Sequence, residues 1–133
     1  MAEDDIEFIR QRLDAFNRGD AEAWIAAWDP EGELYELIGI PDAPDVYRGH
    51  DGIRKWLANA RSIMGKDFQM KPAAITPVGE AVLVEIEGSG VGEGSGVPVD
   101  WTTYVTIWVR GGKIVRSRAF QTREQALEAA RAG

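Results

Sequence analysis

The sequence contains no cysteine, which removes disulfides, thiolate nucleophiles and Cys-ligated zinc or iron-sulfur centres together. It has one histidine, His50, so no second imidazole can complete a common zinc site, and neither a metal nor another cofactor is expected. No uninterrupted apolar run approaches the roughly 20 residues that a membrane-crossing helix needs. The opening residues Met1-Ala2-Glu3-Asp4-Asp5 are acidic where a secretory leader starts basic, so a cytoplasmic location without a membrane partner is expected. Basic residues are also scarce: 15 Lys and Arg stand against 22 Asp and Glu, for a net charge of -7. Between Pro72 and Val109 there are none. Binding to a phosphate backbone scales with the number of cations that neutralise it, so nucleic acid is not an expected partner. Six of the basic residues lie from Arg110 onward, a bias read as a solvated basic edge.

What is present suits one domain spanning residues 1–133, of α+β class, with 44% hydrophobic residues to build a core. Ile6, Ile9, Leu13 and Phe16 recur at helical spacing behind a cap at Asp4 or Asp5, until Asn17-Arg18-Gly19 ends the helix. Asp20 is placed to cap a second helix that carries Trp24, Ile25, Ala27 and Trp28 and stops at Asp29-Pro30. Residues 33–40 read as a strand, followed by a rim loop at Pro41-Asp42-Ala43-Pro44. Asp51 opens a third helix with Ile53, Trp56, Leu57 and Ala60 on one side. Period-two patterns then predict strands at 68–76, 81–87, 101–109 and 113–121, with a tight turn at Arg110-Gly111-Gly112. Thr122 followed by Gln125 is a capping-box signature for a last helix through Ala130. Helices followed by a curved antiparallel sheet make a cone with a pocket.

Glycine alternates from Gly88 to Gly96, which leaves one face of an extended chain bare, so that a sheet can bend or another backbone approach. Neither the dinucleotide fingerprint nor the P-loop pattern fits there. In the strand from Trp101, one face carries Trp101, Thr103, Val105, Ile107 and Val109, suited to a concave pocket. The other carries Thr102, Tyr104, Thr106, Trp108 and Arg110, suited to a sheet-to-sheet homodimer. His50 and Asp51 sit between glycines at a helix start, where Asp caps and His is solvated.

Three stretches carry a family resemblance: Ala15-Phe16-Asn17-Arg18-Gly19-Asp20, Tyr47-Arg48-Gly49-His50-Asp51-Gly52-Ile53-Arg54, and Gly112-Lys113-Ile114-Val115 with Arg123-Glu124-Gln125-Ala126-Leu127-Glu128-Ala129-Ala130. The chain resembles the SnoaL-like branch of the nuclear transport factor 2 superfamily. The resemblance implies a conical α+β barrel, with three N-terminal helices packed on a curved antiparallel sheet and a short C-terminal helix. It also implies a deep apolar pocket for a small hydrophobic molecule and a homodimer formed through the outer sheet face. Phe16, Trp28 and Trp56 from the helices, with Trp101, Thr103, Val105 and Ala119 from the strands, are the candidate ligand-lining residues.

Fold alone does not choose among the isomerases, cyclases, hydrolases, dehydratases and non-catalytic members of that superfamily. Similarity to ketosteroid isomerases puts Glu36 at or beside the general base, while the oxyanion-donating tyrosine falls at Arg12 and the neutral carboxylic acid near Val105. Similarity to limonene epoxide hydrolases rests on Leu34-Tyr35-Glu36-Leu37-Ile38-Gly39-Ile40-Pro41 and the ending from Ser117 to Ala130. Their Asp-Arg-Asp relay falls at Ile86, Gly88 and Ala119, Tyr35 matches the tyrosine, and Leu37 replaces the asparagine. Glu36 and Tyr35 are therefore the candidate catalytic residues, yet adjacent strand residues face opposite sides unless a bulge intervenes. An inward Glu36 among Leu34, Leu37 and Ile38 would sit where burial favours the neutral acid, as acid-base work near neutral pH requires. Three functions stay open: a binder of a small apolar molecule, an acid-base enzyme without a metal, and a homodimerisation module with a vestigial pocket.

Overall fold

A computed structural model describes residues 2–36, 46–92 and 96–133. The expected rim loop at Pro41-Asp42-Ala43-Pro44, residues 37–40 of the expected strand, and Gly94 lie outside the described residues.

Helix α1 spans Ala2–Asn17 and buries Ile9, Leu13 and Phe16 on one stripe. It starts ahead of Asp4 and Asp5, so these do not cap it; they lie in its early turns, where acidic groups meet the positive end of the helix dipole. The chain reverses at Gly19, whose φ of 93° suits glycine. Asp20 then caps α2 (Ala21–Ala26), its Oδ1 accepting from the Ala23 N–H at 3.1 Å. Trp28 is not on this helix, as its spacing suggested: it opens strand β1 (Trp28–Tyr35). The Ile114 N–H donates to the Ala27 carbonyl at 2.9 Å, which draws the chain into the sheet one turn early. Pro30 is accommodated because β1 meets its other neighbour, β2 (Val46–Arg48), only from Glu33 onward.

Helix α3 (Gly49–Met64) starts two residues before Asp51, with Arg48 at its N-cap and no side-chain cap. His50 is half-buried rather than solvated, its Nε2 2.8 Å from the Trp28 carbonyl oxygen, so it ties the start of α3 to the start of β1. Strands β3 (Gln69–Val78), β4 (Ala81–Val91), β5 (Pro98–Arg110) and β6 (Lys113–Phe120) follow. The turn between β5 and β6 has φ of 59° at Gly111 and 74° at Gly112, the mirror-image turn that two-residue hairpins prefer. Helix α4 (Arg123–Ala132) begins with the full Thr122/Gln125 capping box.

The sheet runs β2-β1-β6-β5-β4-β3. Among the described residues, every pairing is antiparallel except β1 with β6, which is parallel. The curved sheet does not close, so β2 and β3 are its edges. Helices α1 to α3 pack on the concave face over a core that includes Leu34, Val84, Ile86, Val105, Ile107 and Ile114. Helix α4 lies on the convex face, where Ala130 packs with Ala81 and Trp108, and Thr106 donates to the Ala126 carbonyl at 2.7 Å. Asn17 joins α1 to β3 through two bonds with the Met70 backbone, at 2.9 and 2.8 Å.

Gly88 and Gly90 lie in β4, whereas Gly92 and Gly96 lie in the connection to β5, where the Gly92 N–H donates to the Val97 carbonyl at 2.9 Å and the Gly96 N–H to the Gly92 carbonyl at 3.0 Å. A Cβ at Gly88 would overlap the Trp101 indole, and one at Gly90 would overlap the Met64 carbonyl. The bare face therefore admits a large ring at one position and the end of α3 at the next.

Candidate functional site

Strand β1 sets the parity that decides which side chains reach the concave face. Leu34 is in register with Ser117 on one side and Tyr47 on the other, and it is buried in the core. Its neighbours Glu33 and Tyr35 therefore point to the convex face, and Glu36 returns to the concave one. There the Trp56 indole N–H donates to Glu36 Oε2 at 2.9 Å. Trp56 itself is buried on the core side of α3.

Tyr35, expected as a donor beside Glu36, is not brought to it. Its hydroxyl donates to Glu33 Oε1 at 3.1 Å, and its ring lies under the Arg118 guanidinium, 5.5 Å from the ring centroid. Glu33 also accepts from Arg48 Nε at 2.8 Å. The Arg48 bond, opposed by burial and assisted by the Tyr35 hydroxyl, holds the Glu33 carboxyl below its ordinary value. This network belongs to the outside of the sheet and stands apart from Glu36.

The remaining candidates sort by depth. Phe16, Trp28 and Val105 are buried in the core. Trp101, Thr103 and Ala119 are half-buried on the concave side, with Thr103 Oγ1 3.4 Å from the Phe120 carbonyl oxygen. Aromatic contacts connect the two groups. Ring centroids are 6.0 Å apart for Trp28 and Trp24, 6.5 Å for Trp24 and Trp56, 6.5 Å for Trp56 and Phe68, and 6.2 Å for Phe68 and Trp101. Phe16 touches both Trp24 and Phe68. The interior is thus filled by its own rings, and Glu36, Trp101, Thr103 and Ala119 are the candidates left half-buried on the concave side. Phe68 is the member that sequence reasoning missed; its one signal was an aromatic residue at the start of a strand pattern.

The positions matched to known catalytic sets carry little acid-base chemistry. Ile86, Gly88 and Ala119 are on the concave side, in register with Thr103, Trp101 and Val105, and none of them transfers a proton. Arg12 has its guanidinium over the Phe8 ring, 5.2 Å from the centroid. The buried indole N–H groups of Trp24 and Trp28 have no hydrogen-bond partner among the described residues, in contrast to Trp56. No group of three or more His, Cys, Asp or Glu among the described residues is arranged to hold a metal ion. No helix among them is long and apolar enough to cross a membrane.

Two surface clefts lie elsewhere. One of about 790 Å³ is bounded by Asp5 and Phe8 of α1, Trp108, and the Gly79 and Gly111 turns. The other, of about 610 Å³, runs beside α4 between Trp108, Arg116 and Arg131. Both include Trp108, whose ring is covered by the Arg116 guanidinium at 3.9 Å from its centroid.

The family model of the SnoaL-like domain matches residues 9–117. The chain belongs to the SnoaL-like domain family. No curated protein matches the sequence detectably. Among solved structures, this SnoaL-like protein is similar to TerC co-crystallised with polyporic acid. The two share 20% identity and a TM-score of 0.76, over 96% of this chain and 98% of that one. It is also similar to a protein of ketosteroid isomerase-like fold from Catenulispora acidiphila DSM 44928, in complex with trimethylamine. Identity is 16% and the TM-score 0.73, over 93% and 92% of the two chains. A candidate SnoaL-like polyketide cyclase from Jannaschia Sp. CCS1 matches with 16% identity and a TM-score of 0.71, over 96% and 92%. At these identities the likeness is one of fold.

Proposed function

We propose that this SnoaL-like protein binds a small, mostly apolar organic molecule at the mouth of the cone, with Glu36 as its polar anchor. The observation that carries this is the inward Glu36 carboxylate, accepting from Trp56 on the concave side of the sheet, the side that also carries the half-buried Trp101, Thr103 and Ala119. Apolar walls with a few convergent polar groups are the usual form of a small-molecule site. Similar folds crystallised with polyporic acid and with trimethylamine support the same reading. A thermal-shift screen against steroids, terpenoids and polyketide-like aromatics tests it, because a molecule that binds the folded form raises apparent stability. Stabilisation that falls when Trp101 is replaced by alanine is the expected result; no stabilisation by any class would sink the proposal.

A second reading is an acid-base enzyme in which Glu36 moves a proton on the bound molecule, favoured by its inward orientation. Tyr35 lies on the other face, so it is no partner in that step. Glu36→Gln separates the two readings: loss of turnover with binding retained identifies catalysis, whereas loss of affinity alone identifies an anchor.

We also propose a homodimer through the part of the convex face that α4 leaves open. Across it, Glu85 of β4 is in register with Tyr104 of β5 and Phe120 of β6, and Arg118 follows on β6. A two-fold axis near Tyr104 would set the acidic edge of one copy against the basic edge of the other. A monomeric mass by light scattering at micromolar concentration would count against it.

A further inference from the structure

The cleft beside α4 gathers three arginines from three elements. Arg110 comes from the end of β5, Arg116 from the middle of β6 and Arg131 from the last turn of α4, and all three line one space of about 610 Å³. Acidic side chains outnumber basic ones in this chain, 22 to 15. Yet among the described residues none of the three arginines forms an ion pair with an acidic side chain. Two acids share the wall with them. Glu33 accepts from Arg48 at 2.8 Å and from the Tyr35 hydroxyl at 3.1 Å, and Glu80 is exposed on the turn between β3 and β4. The wall therefore carries a surplus of one positive charge.

Arg116 is held in place before anything binds. Its guanidinium lies over the Trp108 ring, 3.9 Å from the centroid, and Nη2 donates to the Gly133 carbonyl oxygen at 3.0 Å, while its Nε is buried with no hydrogen-bond partner. A guanidinium has five N–H donors in a rigid fork, so one bond leaves others for an incoming acceptor, and a side chain ordered in advance lowers the entropy that binding costs. The negative end of the α4 dipole accounts for Arg131 and for the bond from Arg116. It does not account for Arg110, which belongs to the β5–β6 hairpin. The same wall is apolar elsewhere: Val78, Val115 and Ala130 join Trp108 there, members of the small hydrophobic cluster on the convex face. A cation entering this cleft meets like charge, and a neutral molecule leaves the arginines to water. A phosphate dianion brings more charge than the surplus and nothing to cover the apolar wall. A monocarboxylate with an apolar body suits both parts, since guanidinium groups take carboxylates through paired N–H bonds and the volume lies within the ~300–1,000 Å³ usual for small-molecule sites.

We infer that this cleft is a second binding site, for a small organic carboxylate whose head lies among Arg110, Arg116 and Arg131 and whose apolar body lies against Val115 and Ala130. The cleft is on the opposite face of the sheet from Glu36, so this site and the concave one stand or fall separately.

Three probes test it: benzoate, benzamide, which has the same shape without the charge, and inorganic phosphate, which has charge without an apolar body. Each is titrated against the protein with the indole N–H signals in nitrogen-15 NMR as readout. The expected result is that benzoate moves the Trp108 signal, leaves those of Trp56 and Trp101 in place, and binds about tenfold more tightly than either benzamide or phosphate. Arg110 and Arg131 are exposed, so Arg110→Gln and Arg131→Gln together should leave the circular dichroism spectrum unchanged and weaken benzoate about tenfold. Should the double variant fail to fold, salt serves instead: raising it must weaken benzoate and not benzamide. Equal affinity for benzoate and benzamide, phosphate as tight as benzoate, or benzoate affinity indifferent to the replacements overturns the carboxylate site. So does movement of Trp56 and Trp101 in place of Trp108, or no binding of benzoate at all.

Discussion

A methyl group added at Gly88 has no room, and the consequence can be worked through. Gly88 on β4 is in register with Trp101 on β5, and an alanine Cβ would overlap Cε2, Cζ2 and Cδ2 of the indole. Either the two strands shift or the indole swings off the sheet. Forcing an extra methyl into a packed site costs about 1–3 kcal/mol. Swinging the indole out re-exposes roughly 100 Å² of apolar surface, about 2.5 kcal/mol at ~25 cal/mol per Å². The two routes agree, so Gly88→Ala is expected to cost about 2 kcal/mol, or roughly 6–10 °C in midpoint for a domain of this size. The double-mutant cycle is the sharper assay. Once Trp101 is replaced by alanine, a methyl at position 88 meets no ring, and alanine is intrinsically preferred to glycine within a strand by roughly 0.5–1 kcal/mol. Thermal unfolding by circular dichroism should therefore show Gly88→Ala to be neutral or stabilising in that background, a coupling of about 2 kcal/mol. Equal cost in both backgrounds would refute the claim that the bare glycine face exists to seat Trp101 on the concave side.

Three further outcomes are expected. Thr106→Val removes a fully buried hydroxyl that donates to the Ala126 carbonyl, and should lower stability by about 1–2 kcal/mol and speed amide exchange in α4. Asn17→Ala cuts both bonds between the end of α1 and the Met70 backbone, a loss of about 1–3 kcal/mol by denaturant titration. Glu33 has a carboxyl held below its ordinary value of 4.5, chiefly by Arg48. Its contribution is complete above that pH and fades as pH falls through the lowered value. Glu33→Gln should thus be less stable than the parent at neutral pH, and the gap should close as the solution is acidified below 4.5; a gap constant with pH would contradict the pairing.

Local signals were legible in the sequence wherever the chemistry that forms an element lies inside it. The stripe of Ile9, Leu13 and Phe16, the Asp20 cap, the Gly111-Gly112 turn and the Thr122/Gln125 capping box all form from neighbours in the chain. The α+β class followed from their order, and the family from the resemblance carried by three stretches of sequence. Long-range pairing was not legible. Trp28 has helical spacing from Trp24 yet opens β1, because its register partner is Ile114, far along the chain. His50 shows no sign in sequence of its bond to the Trp28 carbonyl. The parity of Tyr35 and Glu36 rests on register with Val46 and Arg118, and a slip of one residue would exchange them. The Tyr104 and Trp108 face suited a partner chain, but part of it is covered by α4, since an apolar strand face does not specify what packs on it.

The five tryptophans offer one measurement that locates the binding site directly. Each indole N–H gives its own nitrogen-15 correlated NMR signal, assignable by single Trp→Phe replacements. Titration with a molecule that the thermal-shift screen finds to stabilise the fold should move the signals of Trp56, bonded to Glu36, and Trp101, half-buried on the concave side, and leave Trp108 on the convex side in place. Movement of Trp108 with Trp56 and Trp101 unchanged would put binding in the clefts beside α4 and the turns, and would contradict a site built on Glu36.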